Sequence, residues 1–239
     1  MDSKFPLKGQ HALVTGASRG IGLAIARRLG QMGARITLCG RTEKTLGEAS
    51  ARLQQEGIET FAFPANVASH DQVSALVDAA IAKFGGIDIL VNNAGVGRFA
   101  PIHEFSDADW DTVLDTNLKG VFLASRAVIP GMISRGRGHI VNISSLAGKN
   151  SFPGGSIYCA SKWGLLGLTY SMAEDLRAHG IRVAAVCPGS VATEFSPHAN
   201  KDPRKMLQAE DVAHAVAMIL TEAPQSFISE VLLRPTQKP

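Results

Sequence analysis

The stretch HALVTGASRGIG, residues 11–22, decides the fold. Its first five residues are a short apolar run typical of a buried strand, and Gly16, Gly20 and Gly22 follow directly as a helix begins. Glycines let a backbone turn sharply and approach a phosphate, and a helix N-terminus supplies free N–H groups and a positive dipole end. The spacing G-x3-G-x-G differs from the usual G-x-G-x-x-G. The stretch predicts either a pyrophosphate-binding turn or a tight, closely packed β-α turn.

The rest of the chain repeats this strand-then-helix unit. Further strands are predicted at 35–39, 59–63, 88–92, 138–144, 182–187 and 228–233, and helices at 20–32, 42–56, 69–84, 107–135, 157–178 and 209–222. This alternation predicts an α/β fold, a single doubly wound parallel sheet of about seven strands with helices on both faces. Such a sheet binds ligands at the carboxyl ends of its strands. Residues 193–208 are too polar and proline-broken for a long helix, so we expect a short substrate lid there.

Composition excludes several classes of function. At 239 residues with 45% hydrophobic content, the chain fits one domain, 1–239. A formal charge of +3 without a Lys/Arg block gives no support for nucleic-acid or membrane binding. The apolar runs are too short to span a bilayer, and the N-terminus has no signal-like apolar region. Three widely spaced cysteines and no HExxH pattern favour a reducing, cytoplasmic setting without a metal.

The end of the second predicted strand bears on cofactor choice. Dinucleotide-binding sheets that take NAD place an Asp or Glu there, whereas this chain has Gly40 followed by Arg41. A carboxylate would repel a 2'-phosphate, while Arg41, together with Arg19 in the glycine-rich turn, can bind one. One such contact contributes roughly 1.5–3 kcal/mol. The pair predicts NADP(H), unless both arginines are simply solvated.

A different reading of the same turn is a hydrolase. The letters GASRG also fit G-x-S-x-G, a strand-to-helix turn that presents a nucleophilic serine, here Ser18. A nucleophile elbow needs an oxyanion loop and usually several preceding strands, and Ser18 follows only one short strand. The hydrolase reading stays an alternative, as does a protein that binds NADP without catalysis.

Five motifs together identify a resemblance. TGASRGIG (15–22), NNAG (92–95), ISS (143–145), YCASK (158–162) and PGSVAT (188–193) occur in the order and near the spacing found in short-chain dehydrogenases/reductases. The resemblance runs from about residue 7 to residue 233. Within that family the chain is most similar to NADPH-dependent ketoreductases related to 3-oxoacyl-carrier-protein reductases. The resemblance implies hydride transfer between NADPH and a carbonyl carbon.

The catalytic group implied by the resemblance is Tyr158, which gives a proton to the carbonyl oxygen during reduction. An unperturbed phenol has a pKa near 10, and moving it by about 3 units needs roughly 4 kcal/mol. Lys162, one helical turn further on, can supply about that amount from a distance of roughly 4 Å at an effective dielectric near 20. We therefore expect Lys162 to lower the pKa of Tyr158 toward neutrality and, by resemblance, to hold the nicotinamide ribose.

Other residues are placed by the same resemblance. Ser145, rather than its neighbour Ser144, has the spacing of the serine that binds the substrate oxygen, and Asn117 matches an asparagine that helps hold a relay water next to Lys162. The implied cofactor contacts follow the strand ends: Gly16, Ser18, Arg19, Gly20, Ile21, Gly22, Arg41, Asn66, Val67, Asn93, Ala94, Gly95, Tyr158, Lys162, Pro188, Gly189, Val191 and Thr193.

Two departures from the family pattern limit the assignment. Asn66 stands where an Asp toward the adenine is usual, and the short segment after PGSVAT weakens the acyl-carrier interpretation. The basic residues Lys201, Arg204 and Lys205 could meet an acidic carrier or simply be solvated. The loop phenylalanines Phe99, Phe152 and Phe195 either indicate an apolar or extended substrate or pack the lid. Family members pair through the helices near 107–135 and 157–178, so we expect a homotetramer or homodimer.

Overall fold

The computed structural model describes residues 5–195 and 202–238. Its strands form one parallel sheet in the order β3-β2-β1-β4-β5-β6-β7, which confirms the predicted doubly wound class. Each predicted strand is present within about two residues of its expected ends. The bounds are β1 His11–Thr15, β2 Arg35–Gly40, β3 Thr60–Pro64, β4 Ile89–Asn92, β5 Gly138–Ile143, β6 Ile181–Pro188 and β7 Glu230–Leu233.

Helices cover both faces of the sheet. They are α1 Gly20–Gln31, α2 Glu43–Gln55, α3 His70–Phe84, α4 Asp107–Leu114, α5 Gly120–Arg135, α6 Ser156–Arg177 and α7 Ala209–Leu220. Successive strand residues point to opposite faces, so Val14 packs in the core with α1, α2 and α7, whereas Leu13 packs with α3, α5 and α6. Both faces of the central strands are buried, which explains their continuous apolar runs. No helix in the described ranges has both the length and the apolar character that a bilayer crossing needs.

The long helix predicted over 107–135 is two helices instead. A π-helical turn, Asp115–Lys119, separates α4 from α5. Within this turn the buried Asn117 forms hydrogen bonds to Val96 outside the helix. At Gly120 a Cβ would lie 2.9 Å from the side chain of Val67, so the glycine allows the start of α5 to approach that loop. The interruption therefore results from tertiary contacts that helical periodicity does not reveal.

The strand order creates one crevice at the carboxyl edge of the sheet. β1 lies between β2 and β4, so the chain leaves β3 at one side and returns at β4 on the other. At this edge the glycine-rich turn after β1 faces the loop after β4. In the described part of the segment after β6, a short 3₁₀ turn lies at Pro203–Lys205, and a bridge pairs Val191 with Leu207. The switch in strand order places the candidate site between these loops.

Candidate active site

The glycine-rich turn after β1 has the backbone that its sequence predicts. Gly16 and Gly20 have φ values of 65° and 55°, in the left-handed region that favours glycine. A Cβ at Gly22 would lie 2.3 Å from the carbonyl oxygen of Gly16 and 2.5 Å from Nδ2 of Asn93. Gly22 therefore lets α1 pack against the turn, and α1 begins at Gly20 with its N-terminus at the crevice. The turn presents free backbone N–H groups at the crevice, as an anion-binding helix start does.

The loop after β4 holds this turn in place. Nδ2 of Asn93 donates hydrogen bonds to the carbonyl oxygens of Thr15 at 3.0 Å and Gly16 at 3.1 Å. In return, Oγ1 of Thr15 accepts from the backbone N–H groups of Asn93 at 3.0 Å and Ala94 at 3.1 Å. Sequence reasoning missed Thr15, although its position directly before Gly16, at the end of a strand, could have indicated it. Asn93 thus supports the turn through its side chain.

A cavity of about 1750 Å³ occupies the crevice. Most of the residues that the sequence singled out line it: Gly16, Ser18, Arg19, Gly20, Ile21, Arg41, Asn66, Val67, Asn93, Ala94, Gly95, Ser145, Tyr158, Lys162, Pro188, Gly189, Val191 and Thr193. Two do not line it. Gly22 and Asn117 lie behind the wall, Gly22 against Gly16 and Asn117 fully buried. Both residues pack against and support the wall, and cofactor contact at Gly22 stays a prediction.

Arginines lie at the end of the cavity nearest β2. Arg41 is exposed and lines the cavity directly after Gly40. Arg19 forms an ion pair with Glu194, a contact between the glycine-rich turn and the loop after β6 that the sequence did not reveal. Oδ1 of Asn66 accepts a hydrogen bond from the N–H of Ala68 at 3.1 Å. One lone pair of that oxygen is therefore already used, and an adenine amino group would have to use the other.

Tyr158 and Ser145 meet at the opposite part of the cavity. Tyr158 is buried at the start of α6, and the Ser145 side chain is near enough to its hydroxyl to favour the phenolate slightly. Oγ of Ser145 accepts from the N–H of Ala147 at 3.1 Å, which orients the serine. Ser144 also lines the cavity, but its buried hydroxyl donates to the carbonyl oxygen of Lys162 at 3.4 Å. Both serines line the cavity, and the choice of Ser145 as the substrate-binding serine stays a prediction.

The protonation of this pair differs from the expectation. Burial raises the pKa of Tyr158 to about 12, and the nearby Ser145 side chain offsets only part of this rise. Burial also lowers the pKa of Lys162 to about 8. The expected fall of the tyrosine pKa toward neutrality is wrong for this structure, because spacing does not reveal how strongly desolvation opposes the phenolate. At neutral pH Tyr158 is a protonated phenol and can donate a proton.

Lys162 and Asn117 are fixed by buried hydrogen bonds. Nζ of Lys162 donates to the carbonyl oxygen of Ile143 at 2.9 Å, which holds the ammonium group beneath the cavity floor next to β5. Oδ1 of Asn117 accepts from the N–H of Val96 at 2.8 Å, and its Nδ2 donates to the carbonyl oxygen of Val96 at 2.9 Å. The same Nδ2 donates to Oγ of Ser161 at 3.0 Å. Asn117 thus ties the loop after β4 to helix α6, which carries Tyr158.

A polar cluster behind the Ser145 loop was not predicted. Nζ of Lys149 lies 2.9 Å from Oε1 of Glu230 on β7, and it also donates to the hydroxyl of Tyr170 on α6 at 2.8 Å. The Tyr170 hydroxyl donates to the same Glu230 oxygen at 2.9 Å. These three residues, the Lys149 cluster, anchor the 3₁₀ turn Leu146–Gly148 that follows Ser145. They are far apart in sequence and have no shared motif, so no sequence signal could have grouped them.

The structure gives the serine hydrolase alternative no support. Ser18 lines the cavity near Gly40, and its side chain is the closest to that glycine after Leu46. The cavity-lining residues in the described part of the chain include no histidine to act as its base. The basic residues after β6 also give little support for an acidic carrier. Arg204 pairs with Asp202 at 3.0 Å, and Lys201 lies outside the described residues.

Comparisons with known proteins show the family of this chain. The sequence profile of the short chain dehydrogenase family matches residues 10–204. The chain is 43% identical to gluconate 5-dehydrogenase of Gluconobacter oxydans over 192 residues, which is 80% of this chain and 75% of that protein. It is 36% identical over 232 residues to the 3-oxoacyl-[acyl-carrier-protein] reductase FabG of Staphylococcus aureus, covering 92% of this chain and 94% of that protein.

Solved structures match over almost the whole chain. A metagenomic short-chain oxidoreductase in complex with NADP has a TM-score of 0.87 at 46% identity, covering 98% of this chain and 100% of that chain. A variant of actinorhodin polyketide ketoreductase with NADPH has a TM-score of 0.87 at 35% identity, covering 94% of both chains. The fold and the crevice define a dinucleotide-binding oxidoreductase of the doubly wound class. The chain belongs to the short-chain dehydrogenase family.

Proposed function

We propose that this protein reduces a ketone with NADPH, and oxidises the corresponding alcohol in reverse, through Ser145, Tyr158 and Lys162. The observation that supports the proposal is that Ser145, Tyr158 and Lys162 line one cavity together with the glycine-rich turn. A buried phenol with a raised pKa is protonated at neutral pH, so it can give its proton to a carbonyl oxygen. Ser145 would hold the same oxygen by a second hydrogen bond.

The cavity fits an NADP cofactor. Gly16 and Gly20 leave room for a pyrophosphate against the helix start of α1, as in other dinucleotide-binding sheets. β2 ends at Gly40 and Arg41 follows it, so no carboxylate stands at that strand end to repel a 2'-phosphate, and Arg41 and Arg19 supply positive charge. Asn66, Val67, Ala94 and Gly95 would border the adenosine half. When bound, NADPH supplies the hydride.

The remaining residues in this proposal hold groups in place. Lys162 would hold the nicotinamide ribose from the cavity floor, and Val191 and Thr193, after β6, would meet the carboxamide. Asn117 would keep a relay water next to Lys162 while it ties Val96 to α6. The short substrate lid expected over residues 193–208 stays a prediction, since 196–201 lie outside the described residues. The three free cysteines are buried, which fits a reducing cytoplasm.

Self-association is the expected partner interaction. An apolar groove lies between the π-helical turn and α6, and Leu118, Phe122 and Leu168 line it. Phe122 on α5 and Trp163 on α6 are largely exposed next to it. A second copy that packs these helices against its own would cover this surface. Sedimentation should give a dimer or tetramer that Phe122→Arg dissociates. A monomeric wild type at micromolar concentration would contradict this part of the proposal.

The test of the proposed activity is NADPH oxidation with a panel of ketones, diketones and 3-oxoacyl thioesters. We expect turnover that falls about 10²- to 10⁴-fold in Tyr158→Phe, the usual contribution of a general acid. NADPH binding, followed by its fluorescence, should be retained in that variant. Ser145→Ala should lose far more activity than Ser144→Ala. NADPH binding without turnover above Tyr158→Phe on every substrate would favour an NADP-binding sensor instead.

A further inference from the structure

Four aromatic rings form a row along the catalytic part of the cavity. Phe99, after β4, lies edge-to-face with Tyr158, with ring centroids 5.5 Å apart. Phe195, after β6, also packs against Tyr158, with ring centroids 5.8 Å apart. Phe152 extends the row at 6.0 Å from Phe99. All four line the cavity, and we call Phe152, Phe99, Tyr158 and Phe195 the aromatic row.

Two glycines leave the space that the phenylalanine rings of this row occupy. A Cβ at Gly97 would lie 2.8 Å from ring atoms of Phe99 and 3.3 Å from the ring of Phe195. A Cβ at Gly155 would lie 2.5 Å from the ring of Phe152. Gly97 and Gly155 do not have left-handed backbone, so their absent side chains matter for space and not for conformation. The three phenylalanine rings are thus seated against backbone from separate loops.

The three phenylalanines of the row expose apolar surface at the cavity. Tyr158 is 8% exposed, whereas Phe99, Phe152 and Phe195 are 40%, 43% and 43% exposed. Contiguous exposed apolar surface inside a cleft typically marks a ligand contact. The charged neighbours of the row are already paired, since Arg98 lies 3.4 Å from Asp109 and Glu194 pairs with Arg19. The rings, and not these charges, therefore define the surface next to the reacting hydroxyl.

We infer that the substrate of this site is a ketone, or the matching secondary alcohol, that carries an aryl or similarly broad apolar group next to the carbonyl carbon. This inference rests on the proposed reduction at Tyr158. A flat apolar group lying against Phe99 and Phe195 would bring the carbonyl oxygen toward the hydroxyl of Tyr158, whose ring packs against both. Aromatic groups gain from offset or edge contacts with such rings beyond the area they bury. A polyhydroxylated keto acid would lose hydration at the same surface without gaining partners from the rings.

The experiment compares kcat/KM for acetophenone, cyclohexyl methyl ketone, 2-butanone, a polyhydroxylated keto acid and acetoacetyl-coenzyme A, each with NADPH. We expect acetophenone to exceed 2-butanone by about 10-fold or more, since burying a ring is worth at least that factor. Phe99→Ala should lower kcat/KM for acetophenone far more than for 2-butanone and so remove most of this ratio. Ile81→Ala, which removes an equally exposed apolar side chain on α3, should leave the ratio as it is in the wild type.

Several outcomes would overturn the inference. A higher kcat/KM for the keto acid or for the thioester than for acetophenone would overturn it. An equal loss of kcat/KM on every ketone in Phe99→Ala would also overturn it, because that result is expected if the rings only pack the lid. If no ketone is turned over, the proposed activity fails, and binding still tests the substrate class. In that case saturation-transfer NMR of 1-phenylethanol with NADP⁺ should show ring contacts in the wild type and none in Phe99→Ala. No contact in the wild type would reject an aryl-binding site.

Discussion

Nζ of Lys162 lies 5.8 Å from the centroid of the Tyr158 ring. The two groups are buried together on one face of α6, and burial disfavours the charged form of each. The pKa of the tyrosine is therefore raised to about 12 and that of the lysine lowered to about 8. At neutral pH Tyr158 is therefore a protonated phenol, and Lys162 next to it loses its proton just above neutral pH.

The free energy of unfolding should depend on pH through the titration of Lys162. Between about pH 8, the lysine's pKa in the fold, and 10.5, its ordinary value, the unfolded chain binds a proton that the folded chain does not. The contribution of Lys162 to the free energy of unfolding therefore rises with pH in that window. The raised pKa values of Cys39 and Cys187, about 12 each, oppose this above their ordinary value of 9, and that of Tyr158 does so above 10. Relative to wild type, Lys162→Met should lose about 2 kcal/mol of stability from pH 8 to pH 10.

The measurement is urea unfolding of the wild type and Lys162→Met at pH 7, 8, 9 and 10. Groups that titrate in both proteins cancel in the difference. The lost hydrogen bond to Ile143 adds only a constant offset. A difference that stays flat from pH 8 to pH 10 would mean that Lys162 keeps its charge in the fold.

Gly22→Ala should prevent the glycine-rich turn from forming. The added Cβ would lie 2.3 Å from the carbonyl oxygen of Gly16, a backbone atom that cannot move aside cheaply. We expect a loss of stability of several kcal/mol, in the range of severe overpacking, together with lost NADPH binding. The matched control is Gly47→Ala in α2, where nothing lies within 4 Å of the new Cβ. That variant should gain about 0.5–1 kcal/mol from helix propensity. Thermal unfolding and NADPH fluorescence titration measure both.

Arg41→Ala should reduce cofactor discrimination. Removing one charge-assisted phosphate contact costs roughly 1.5–3 kcal/mol, so the ratio of kcat/KM for NADPH over NADH should fall about 10- to 100-fold. The value for NADH should change little, because NADH has no 2'-phosphate. Arg52→Ala, an exposed arginine on α2 whose Nε donates to Glu48 of its own helix, is the control and should keep the wild-type ratio. An unchanged ratio in Arg41→Ala would show that this arginine is merely solvated.

Glu230→Gln should loosen the Lys149 cluster and with it the Ser145 loop. Burial raises the pKa of Glu230, but hydrogen bonds from Lys149 and Tyr170 outweigh it and hold that pKa below its ordinary 4.5. The carboxylate therefore adds stability above about pH 4.5, and this contribution is lost as the pH falls through the lowered pKa.

At pH 7 we expect Glu230→Gln to lower Tm by about 2–4 °C, as a loss of about 1 kcal/mol does in a chain of this size. The Tm difference from wild type should shrink below pH 4.5. A displaced Ser145 should lower kcat with a carbonyl substrate while the Kd for NADPH stays near the wild-type value. A Tm difference that does not change with pH would show that the charge of Glu230 does not stabilise the fold through Lys149.

Sequence patterns predicted the parts of the molecule that local chemistry controls. Buried parallel strands are continuous apolar runs bounded by turns, so their positions were found within about two residues. Tyr158, Lys162 and Ser145 come together because each follows a strand end or starts a helix at the same edge of the sheet. Because this pattern is local, the sequence was enough to predict the fold class and the family, both of which were confirmed.

Features that depend on distant contacts were not predictable. The π-helical turn at Asn117 depends on bonds to Val96 from another loop. The Lys149 cluster joins a loop, a helix and the last strand of the sheet. The raised pKa of Tyr158 reflects how completely the fold buries the ring. Spacing along one helix cannot show any of these, since each is a property of the assembled core.

The strand order also divides the cavity between two stretches of chain. Residues up to Val67, around β1 and β2, supply the glycine-rich turn, Arg19 and Arg41, whereas the aromatic row comes from segments after β4, β5 and β6. In the proposed reaction, coenzyme choice and ketone choice therefore lie on separate segments of the gene. Recombination between related sequences within the segment that joins β3 to β4 would exchange one trait and keep the other, which makes this crossover the natural junction for building chimeric reductases.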